Sequence, residues 1–375
     1  MPKTIGIVGG GQLGRMLTEA AHKLGFRVVV LDPTPNSPAG QIADGQVIGG
    51  FKDREKILEL ANMSDYITFE IESADNKTLD EISKSGKQVN PDPETLRIIK
   101  DKFRQKAFLQ EHDIPVADFA LIDTEEDCIR QGEIFGYPFL LKSRFDAYDG
   151  RGNFVIKHKE DISEAFEKLS GGQLYAEKFV PFVKELAVVA ARDAQGSVVS
   201  YPVVETIHRN NICHIVRSPA PVSESVKEKA EVLAGKVLSA LGGVGVFGIE
   251  MFLTPNRQVL INEIAPRVHN SGHHTIEAFS ASQFEQHIRA ITGMSLEIPK
   301  KFSEAAVMIN ILGEREGEAE PKGINEVDAL GYAKAHIYGK MLTKPERKMG
   351  HITVLASSVE KAERIAKKAR KNISI

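Results

Sequence analysis

Cysteine and aromatic residues are scarce in this sequence. Its 375 residues include two cysteines, no tryptophan and 7% aromatic residues. Cys128 and Cys213 are too few for a disulfide framework, and neither has a second cysteine nearby that could form a CxxC pair or a zinc site. We therefore expect a reducing, cytoplasmic environment.

The sequence also lacks an excess of charge and a long apolar run. It has 48 Lys and Arg against 51 Asp and Glu, which gives a formal net charge of -3. No general positive field would therefore attract nucleic acid or an anionic membrane. No window approaches the roughly 18 consecutive apolar residues that a membrane span needs. We expect no nucleic-acid partner and no membrane span, so an anionic ligand must be held by local groups.

Apolar segments and helical patterns alternate in the N-terminal part of the chain. Strands are predicted at 4–8, 27–31 and 65–70, and helices near 53–62 and over 94–110. Strands that alternate with helices predict a parallel α/β sheet. The Pro91-Asp-Pro93 segment interrupts this rhythm, and we place the first domain boundary near residue 98.

The pattern changes after residue 115, where hairpins become frequent. Strands are predicted at 137–142, 153–158, 173–180, 184–192, 197–203, 247–253, 259–264, 305–312 and 351–356. Helices are predicted near 160–169, 224–241 and 281–292, and a basic helix ends the chain. This combination predicts an α+β region that contains antiparallel hairpins.

A glycine motif follows the first predicted strand. Gly9, Gly11 and Gly14 have the GxGxxG spacing, and Asp32 ends the next strand. This fits a dinucleotide-binding turn, in which the glycines allow close approach and the helix N-terminus attracts phosphate. The alternatives are a turn that only packs a helix on a sheet, or a site for another anion.

The most informative stretch is a predicted hairpin over 248–265. Folding it about Asn256 places Glu250 opposite Glu263, where two like charges repel unless a cation lies between them. Magnesium commonly takes one or two carboxylates and completes its shell with water and substrate phosphates. The alternative is a pair of solvated glutamates. Asn262 could add an oxygen ligand only if a β-bulge turned it to the same side.

Candidate phosphate and nucleotide contacts precede that hairpin. Lys142 ends an apolar strand, and the glycine loop at 148–153 could close backbone N–H groups over phosphates. The segment Glu177–Val180 could contact a purine edge, and Glu185 could bind a ribose. Each of these signals is weak by itself.

In kind and order, these features resemble the ATP-grasp superfamily. The residues that carry the resemblance are Lys102, Lys142, the glycine loop, Glu177–Val180, Glu185, His208, Glu250 and Asn262-Glu263. Within it, the chain resembles the 5-(carboxyamino)imidazole ribonucleotide synthase family. The similar motifs are Gly-Gln-Leu-Gly-Arg-Met at 11–16, Tyr-Asp-Gly-Arg-Gly at 148–152, Asn-Glu-Ile-Ala-Pro-Arg-Val-His-Asn-Ser-Gly-His at 262–273, Tyr338-Gly-Lys340 and Arg347-Lys-Met-Gly-His351.

The resemblance implies an α/β and α+β protein with an ATP-grasp fold. It implies a Rossmann-like, pre-ATP-grasp domain at 1–98, an ATP-grasp domain at 99–300 and a small C-terminal domain at 301–375 that completes the cleft. The implied activity is carboxylation of 5-aminoimidazole ribonucleotide with ATP and bicarbonate, through carboxyphosphate, in purine biosynthesis. Magnesium is the implied cofactor, and we expect a homodimer.

The resemblance also implies a role for each site residue. The implied ATP-binding residues are Lys102, Lys142, Ala147, Tyr148, Asp149, Gly150, Arg151, Gly152, Asn153, Glu177, Lys178, Phe179, Val180, Glu185, His208, Asn262 and Glu263. The carboxyl-transfer centre would comprise Tyr148, Asp149, Arg267 and His269, and the metal ligands would be Glu250 and Glu263. The implied substrate-binding residues are Gln12, Leu13, Asn270, Ser271, Lys340 and Arg347. Without the resemblance, Lys340 and Arg347 would be interpreted as solvated basic residues.

Three other functions remain possible at this point. Another ATP-grasp carboxylase, or a transformylase that uses formyl phosphate, would share the ATP residues and differ in the acceptor. A nicotinamide-dependent oxidoreductase would explain the GxGxxG turn but not the paired glutamates. A non-catalytic nucleotide-binding module would not need two opposed carboxylates beside an Arg-His-Asn cluster.

Overall fold

The N-terminal third of the chain forms a parallel α/β sheet. The computed structural model describes residues 2–146, 152–169 and 172–375. The first elements are β1 (Thr4–Val8), α1 (Gln12–Lys23), β2 (Arg27–Asp32), β3 (Gly45–Ile48), α2 (Arg54–Asn62), β4 (Tyr66–Phe69), α3 (Asn76–Lys84), β5 (Gln88–Val89) and α4 (Pro93–Lys100). The strand order is β3-β2-β1-β4-β5, with every pair parallel. The predicted parallel sheet is confirmed, and β3 and β5 extend it at its two edges.

The prediction of a single helix over 94–110 is wrong. Helix α4 ends at Lys100, and a second helix, α5 (Lys102–Glu111), begins two residues later. Asp101 between them has extended backbone angles (φ -94, ψ 103), and its carboxylate accepts bonds from the N–H groups of Phe103 and Arg104. An N-cap of this kind stabilises a new helix start. The break places Lys102 in the first turn of α5.

A small antiparallel sheet follows α5. Its elements are β6 (Phe119–Ile122), α6 (Glu125–Phe135), β7 (Phe139–Ser143), β8 (Asn153–Ile156), α7 (Asp161–Lys168) and β9 (Leu174–Lys178). The strand order is β6-β9-β7-β8. Helices α6 and α7 contribute apolar residues to the cluster beneath the sheet, including Cys128, Ile162 and Ala165.

A nine-stranded antiparallel sheet contains most of the remaining chain. The elements of this part of the chain are β10 (Lys184–Arg192), β11 (Val198–Ser200), β12 (Val204–Arg209), β13 (Ile212–Ser218), α8 (Glu224–Leu241), β14 (Gly245–Leu253), β15 (Val259–Ala265), α9 (Thr275–Ala278), α10 (Gln283–Thr292), β16 (Ala305–Leu312), β17 (Gly317–Glu318), α11 (Ile324–Asp328), β18 (Ala333–Ile337), β19 (Leu342–Thr343), β20 (Lys348–Ala356) and α12 (Val359–Arg370). The order is β15-β14-β10-β12-β13-β16-β20-β18, with β11 beside β10, while β17 and β19 pair separately. Because β13 pairs with β16, the C-terminal strands continue the central sheet.

The N-terminal sheet packs directly against the central sheet. Leu17 of α1, Val246 of β14 and Phe284 and Ile288 of α10 belong to one buried cluster. The buried imidazole of His287 also connects the two sheets by hydrogen bonds. It bonds Thr68 Oγ1 of β4 at 2.8 Å and accepts from the N–H of Val246 of β14 at 3.1 Å. Apolar burial of this extent fixes the relative position of the two sheets. Among the described residues, none of the helices has the length and apolar character needed to cross a bilayer.

Candidate active site

A β-bulge organises the paired glutamates of the β14–β15 hairpin. Glu250 pairs with Glu263, as the sequence predicted, whereas Met251 pairs with Ile261. Asn262 is therefore the extra residue of a bulge, the feature that its proposed role required. A bulge re-aims side chains that strict alternation would place on opposite faces. The hairpin thus offers the carboxylates of Glu250 and Glu263 with Asn262 beside them.

The two glutamates differ in their electrostatic environment. Burial, reinforced by the charge of Glu263, raises the pKa of Glu250 to about 7. Burial acts in the same direction on Glu263, but contact with the ammonium of Lys102 outweighs it and lowers the pKa of that carboxyl. The pair therefore carries a negative charge that is only partly compensated by its neighbours.

Three lysines from two elements converge beside this pair. Lys102 and Lys106 lie one turn apart on α5, and Lys142 lies on β7. Lys106 Nζ is 2.7 Å from Glu177 Oε2, and Lys142 Nζ is 3.4 Å from Glu177 Oε1. Burial opposes ionisation of Glu177, but the two ammonium groups lower its pKa.

The carboxylate of Glu177 therefore forms ion pairs with Lys106 and Lys142. Glu177 is 2% exposed, whereas Phe179 is 42% exposed. Lys178 is also exposed, with Nζ 3.1 Å from Asp118 Oδ2. The segment Glu177–Val180 leads from β9 into β10 and so connects the two antiparallel sheets. Its position suits the predicted purine contact, which the backbone of Glu177 and the residues after it would make.

Glu185 and His208 form a pair on neighbouring strands. Glu185 Oε2 is 2.7 Å from His208 Nδ1. Glu185 pairs with Thr206, and His208 lies two residues further along β12, so alternation places its imidazole on the same face as Glu185. Burial opposes protonation of His208, but the hydrogen bond and charge of Glu185 raise its pKa. Both residues thus occupy the central sheet, as expected for groups that act together. The sequence analysis missed strands β12 and β13, which form this hairpin. The signal it could have used is the Asn210-Asn211 pair at the turn, since asparagine tolerates positive φ and both residues adopt it here.

His269 and Arg267 follow β15 at the same edge of the sheet. The ring nitrogen Nδ1 of His269 accepts from the N–H of Ser271 and lies 2.8 Å from Ser271 Oγ. Its other nitrogen, Nε2, is 3.4 Å from Glu250 Oε1. Burial, helped by the charge of Arg267, lowers the pKa of His269 to about 3. His269 is therefore neutral, and its Nε2 proton faces the carboxylate pair.

The glycine turn at the start of α1 is filled by a carboxylate of the chain itself. Glu70 accepts from the N–H groups of Gly11 and Gly14, the latter at 2.6 Å. A Cβ on Gly11 would lie 2.6 Å from Glu70 Oε1, so a larger residue there would displace this carboxylate from the turn. Asp32 accepts from the N–H of Gly10 at 2.9 Å and is not presented to a ribose. Because Glu70 occupies the position where a pyrophosphate would bind, the dinucleotide interpretation is disfavoured.

The predicted substrate residues occupy three places. Gln12 and Leu13 begin α1, and Leu13 is buried in the apolar cluster. Asn270 exchanges amide hydrogen bonds with Asn310 of β16, at 2.7 and 3.2 Å. Ser271 is buried beside His269.

The remaining two predicted substrate residues lie between β18 and the start of β20. Lys340 Nζ donates to the carbonyl of Lys348, and Arg347 Nη1 donates to the carbonyl of Leu342, both at 2.6 Å. The carbonyl of Gly339 accepts at 2.7 Å from the side-chain amide of Gln41, in the loop between β2 and β3, so this C-terminal loop contacts the N-terminal domain.

The glycine loop is described only in part. Ala147, Tyr148, Asp149, Gly150 and Arg151 lie outside the described residues. Gly152 has φ 83°, and its carbonyl accepts from Ser143 N at 2.7 Å. Asn153 starts β8 opposite Lys142.

Several charged residues of the site were not found from the sequence. Glu70, Glu72 and Lys106 each contact a predicted site residue or motif. Lys106 carried a detectable signal, because it lies four positions after Lys102 on the same helix face. Glu70 and Glu72 carried no such signal in the sequence, because the residues that they contact lie far away in the chain.

A partly buried cluster of two histidines and a glutamate lies beside the C-terminal loop. Ligand atoms of Glu277, His336 and His351 lie within 4.8 Å of one another. The His336 and His351 rings stack with 12° between their planes and centroids 4.6 Å apart, so one metal ion cannot lie in both ring planes. His351 Nδ1 is 3.0 Å from the Tyr338 hydroxyl, and His336 Nε2 is 2.7 Å from Glu277. We interpret the cluster as support for the Tyr338–Lys340 turn.

Three family models match the chain. They describe a ribonucleotide synthetase preATP-grasp domain over residues 1–100, an ATP-grasp domain over 107–284, and a phosphoribosylaminoimidazole carboxylase C-terminal domain over 306–365. The matches follow the same order as the predicted domains, and the mixed α/β ATP-grasp fold is confirmed.

Relatives and solved structures cover almost the whole chain. The phosphoribosylaminoimidazole carboxylase of Candida albicans is 48% identical over 96% of this chain, which spans 65% of that protein's length. The structure of N5-carboxyaminoimidazole ribonucleotide synthetase from Thermotoga maritima is 45% identical, with a TM-score of 0.90 and 99% of each chain covered. A synthase from Aspergillus clavatus, solved with ADP and 5-aminoimidazole ribonucleotide, is 40% identical, with a TM-score of 0.91 over 99% of this chain and 98% of that one.

Proposed function

The chain belongs to the N5-carboxyaminoimidazole ribonucleotide synthase family of ATP-grasp ligases, and from this we propose that it carboxylates the exocyclic amine of 5-aminoimidazole ribonucleotide. ATP and bicarbonate are the other substrates, and the products are N5-carboxyaminoimidazole ribonucleotide, ADP and phosphate. The observation that carries this proposal is the bulged hairpin, which presents Glu250 and Glu263 to Lys102 and His269 at one edge of the central sheet.

ATP would bind between the two antiparallel sheets. The segment Glu177–Val180 connects them and would contact adenine, and Glu185 would bind the ribose. Lys102 and Lys142 would reach the phosphates, together with the loop at 147–153. Glu177 helps here, because its buried carboxylate raises the pKa of Lys142 against the opposing effect of burial and keeps that side chain charged.

The residues of the hairpin fit a magnesium ion. Glu250 and Glu263 are oxygen ligands on rigid strands, and Asn262 adds an amide oxygen beside them. Burial and, after it, the charge of Glu263 raise the pKa of Glu250, and a divalent cation would stabilise the ionised carboxylates against both effects. When bound, magnesium would neutralise charge on the transferring phosphoryl group.

The reaction has two steps that these residues would support. A bicarbonate oxygen attacks the γ-phosphorus and ADP leaves, which forms carboxyphosphate. The bond between its carboxyl carbon and the phosphate oxygen then breaks, and phosphate leaves. The amine nitrogen bonds to the resulting carbon dioxide, and its proton passes to a base at the centre formed by Tyr148, Asp149, Arg267 and His269. Arg267 would hold the anionic intermediate, and closure of the site would limit loss of the intermediate to water.

Substrate recognition would use the cleft between the N-terminal sheet and the C-terminal loop. Gln12 and Leu13 would contact the ribonucleotide through the first turn of α1, and Asn270 and Ser271 would lie near the reacting base. Lys340 and Arg347 would bind the terminal phosphate, for which a guanidinium is geometrically suited. We also propose a cytoplasmic homodimer, whose mass light scattering on a gel-filtration column would measure.

Phosphate release from ATP tests the proposed function. We expect fast release only when 5-aminoimidazole ribonucleotide and bicarbonate are both present, with one phosphate per carboxylated product. Bicarbonate-free buffer with formate distinguishes the transformylase alternative. Glu263→Gln is the control for contaminating ATPase, since it removes one carboxylate at nearly constant shape. The proposal is wrong if the wild-type protein forms no carboxylated ribonucleotide, or if formate replaces bicarbonate.

A further inference from the structure

An acid in a loop that follows the N-terminal sheet's strand β4 lies between two cations of the candidate active site. Glu72 follows β4 in the loop before α3. Its Oε1 is 3.0 Å from Arg267 Nη2, and its Oε2 is 3.8 Å from Lys102 Nζ. The Glu72 side chain is 21% exposed, so these contacts are partly shielded from water. Neither the glycine motif nor the hairpin pattern had assigned a role to Glu72.

Arg267 has few other contacts that could fix its position. Its Nη1 donates to the carbonyl of Val268 at 3.2 Å, and its Nε is buried without a hydrogen-bond partner. Among the residues that the structure describes, Glu72 is the one acid that forms an ion pair with this guanidinium, and the charge of Glu70 acts on it from a longer distance. An arginine with a single backbone contact keeps considerable rotamer freedom, which a charged partner reduces.

Lys102 has a different dependence on Glu72. Its ammonium also contacts Glu263, and the carboxylates of Glu263 and Glu72, in that order of effect, raise its pKa against the opposing effect of burial. Loss of Glu72 would therefore leave Lys102 paired with Glu263 but leave Arg267 without an ion pair among the described residues. The consequence should fall on the step that needs Arg267 and spare ATP binding.

We propose that Glu72 is a positioning residue that holds Arg267 for the carboxyl-bearing intermediate. This inference rests on the proposed function, in which Arg267 binds carboxyphosphate. A preoriented guanidinium stabilises a developing or transient anion without reorganising during the reaction. Misplacement of Arg267 would let carboxyphosphate decompose before its carbon dioxide reaches the amine. ATP would then be consumed without matching formation of product.

The ratio of phosphate to carboxylated product is the measurement that separates positioning from a merely structural role. In Glu72→Gln we expect product formation to fall at least tenfold at saturating substrates, the KM for ATP to stay within about twofold, and the ratio to rise from one to several. Glu72→Asp keeps the charge and should recover part of the coupling. Arg267→Lys should uncouple similarly, and adding Glu72→Gln to it should have little further effect, because both changes act on one interaction.

Glu81→Gln is the matched control. Glu81 is an acid on α3, paired at 2.6 Å with Arg54 at the start of α2, outside the site, so its loss should leave rate and ratio unchanged. A coupling ratio of one in Glu72→Gln would refute the inference, as would additive effects with Arg267→Lys or a uniform loss of all parameters with a lowered melting temperature. Absence of carboxylated product with the wild-type protein would instead refute the proposed function, so the two failures are distinguishable.

Discussion

Replacing Glu250 with Gln should stabilise the metal-free protein while removing its activity. The neutral amide has nearly the shape of the carboxylate but neither its charge nor its affinity for a cation. Burial and the nearby charge of Glu263 raise the pKa of Glu250 from 4.5 to about 7. Ionised Glu250 is therefore unfavourable in the folded state, and the substitution removes this cost.

The expected magnitude follows from that pKa. A rise from 4.5 to about 7 corresponds to about 3 kcal/mol as an upper limit. Between those two pH values the folded protein holds a proton that the unfolded chain has lost, so this group destabilises the fold increasingly as pH rises through the window. The full cost is present above pH 7. At pH 8 we expect Glu250→Gln to raise the free energy of unfolding by about 1–3 kcal/mol, and at pH 4 to change it little.

Glu263→Gln provides the matched control, because it should have the opposite effect on stability. Lys102 lowers the pKa of Glu263, so its ionised form stabilises the metal-free fold. Urea unfolding in the presence of a chelator measures both variants, and phosphate release with magnesium should show kcat reduced by orders of magnitude in each. The reasoning is refuted if Glu250→Gln destabilises the metal-free protein at pH 8, or if either variant has wild-type activity.

Three further predictions concern other parts of the structure. Arg347→Ala should raise the KM for 5-aminoimidazole ribonucleotide about 10- to 100-fold and leave the KM for ATP unchanged, because it removes one charge-assisted contact. The control is Lys344→Ala, which changes an exposed lysine of the same loop. An equal loss of affinity for both substrates would contradict this prediction. Calorimetry should detect Mg-ATP binding but no saturable binding of NAD or NADP up to about a millimolar, because Glu70 occupies the helix N-terminus; micromolar NAD affinity would overturn this. Burial lowers the pKa of His287 to about 3, so below about pH 6.5 the unfolded chain binds a proton that the fold excludes, and stability falls as pH falls. His287→Gln should reduce the loss of unfolding free energy between pH 7.5 and 5.5 by about 1.4 kcal/mol; an unchanged pH dependence would show that His287 does not remain neutral.

Local patterns in the sequence were sufficient for several of the longer elements and for the central pair of the site. Strands β10 and β16 and helix α8 have the predicted bounds. The opposition of Glu250 and Glu263 was also predictable, because alternation and a polar turn fix the register of a short hairpin. All of these features depend on residues that are close together in the chain.

The tertiary structure decided which charges meet. Lys102 and Glu263 are 161 positions apart, and the break at Asp101 that orients Lys102 depends on a cap that overrides a continuous helical pattern. Glu70 bonds the glycine turn from 56 positions away in the chain. This contact argues against dinucleotide binding at a GxGxxG motif that, in the sequence alone, also fits a nicotinamide-dependent oxidoreductase. Periodicity reports which face of an element is buried, but it carries no information about which distant side chain satisfies a buried charge. That pairing is set by how the sheets pack, because a buried ionic group is stable only where the fold supplies its partner.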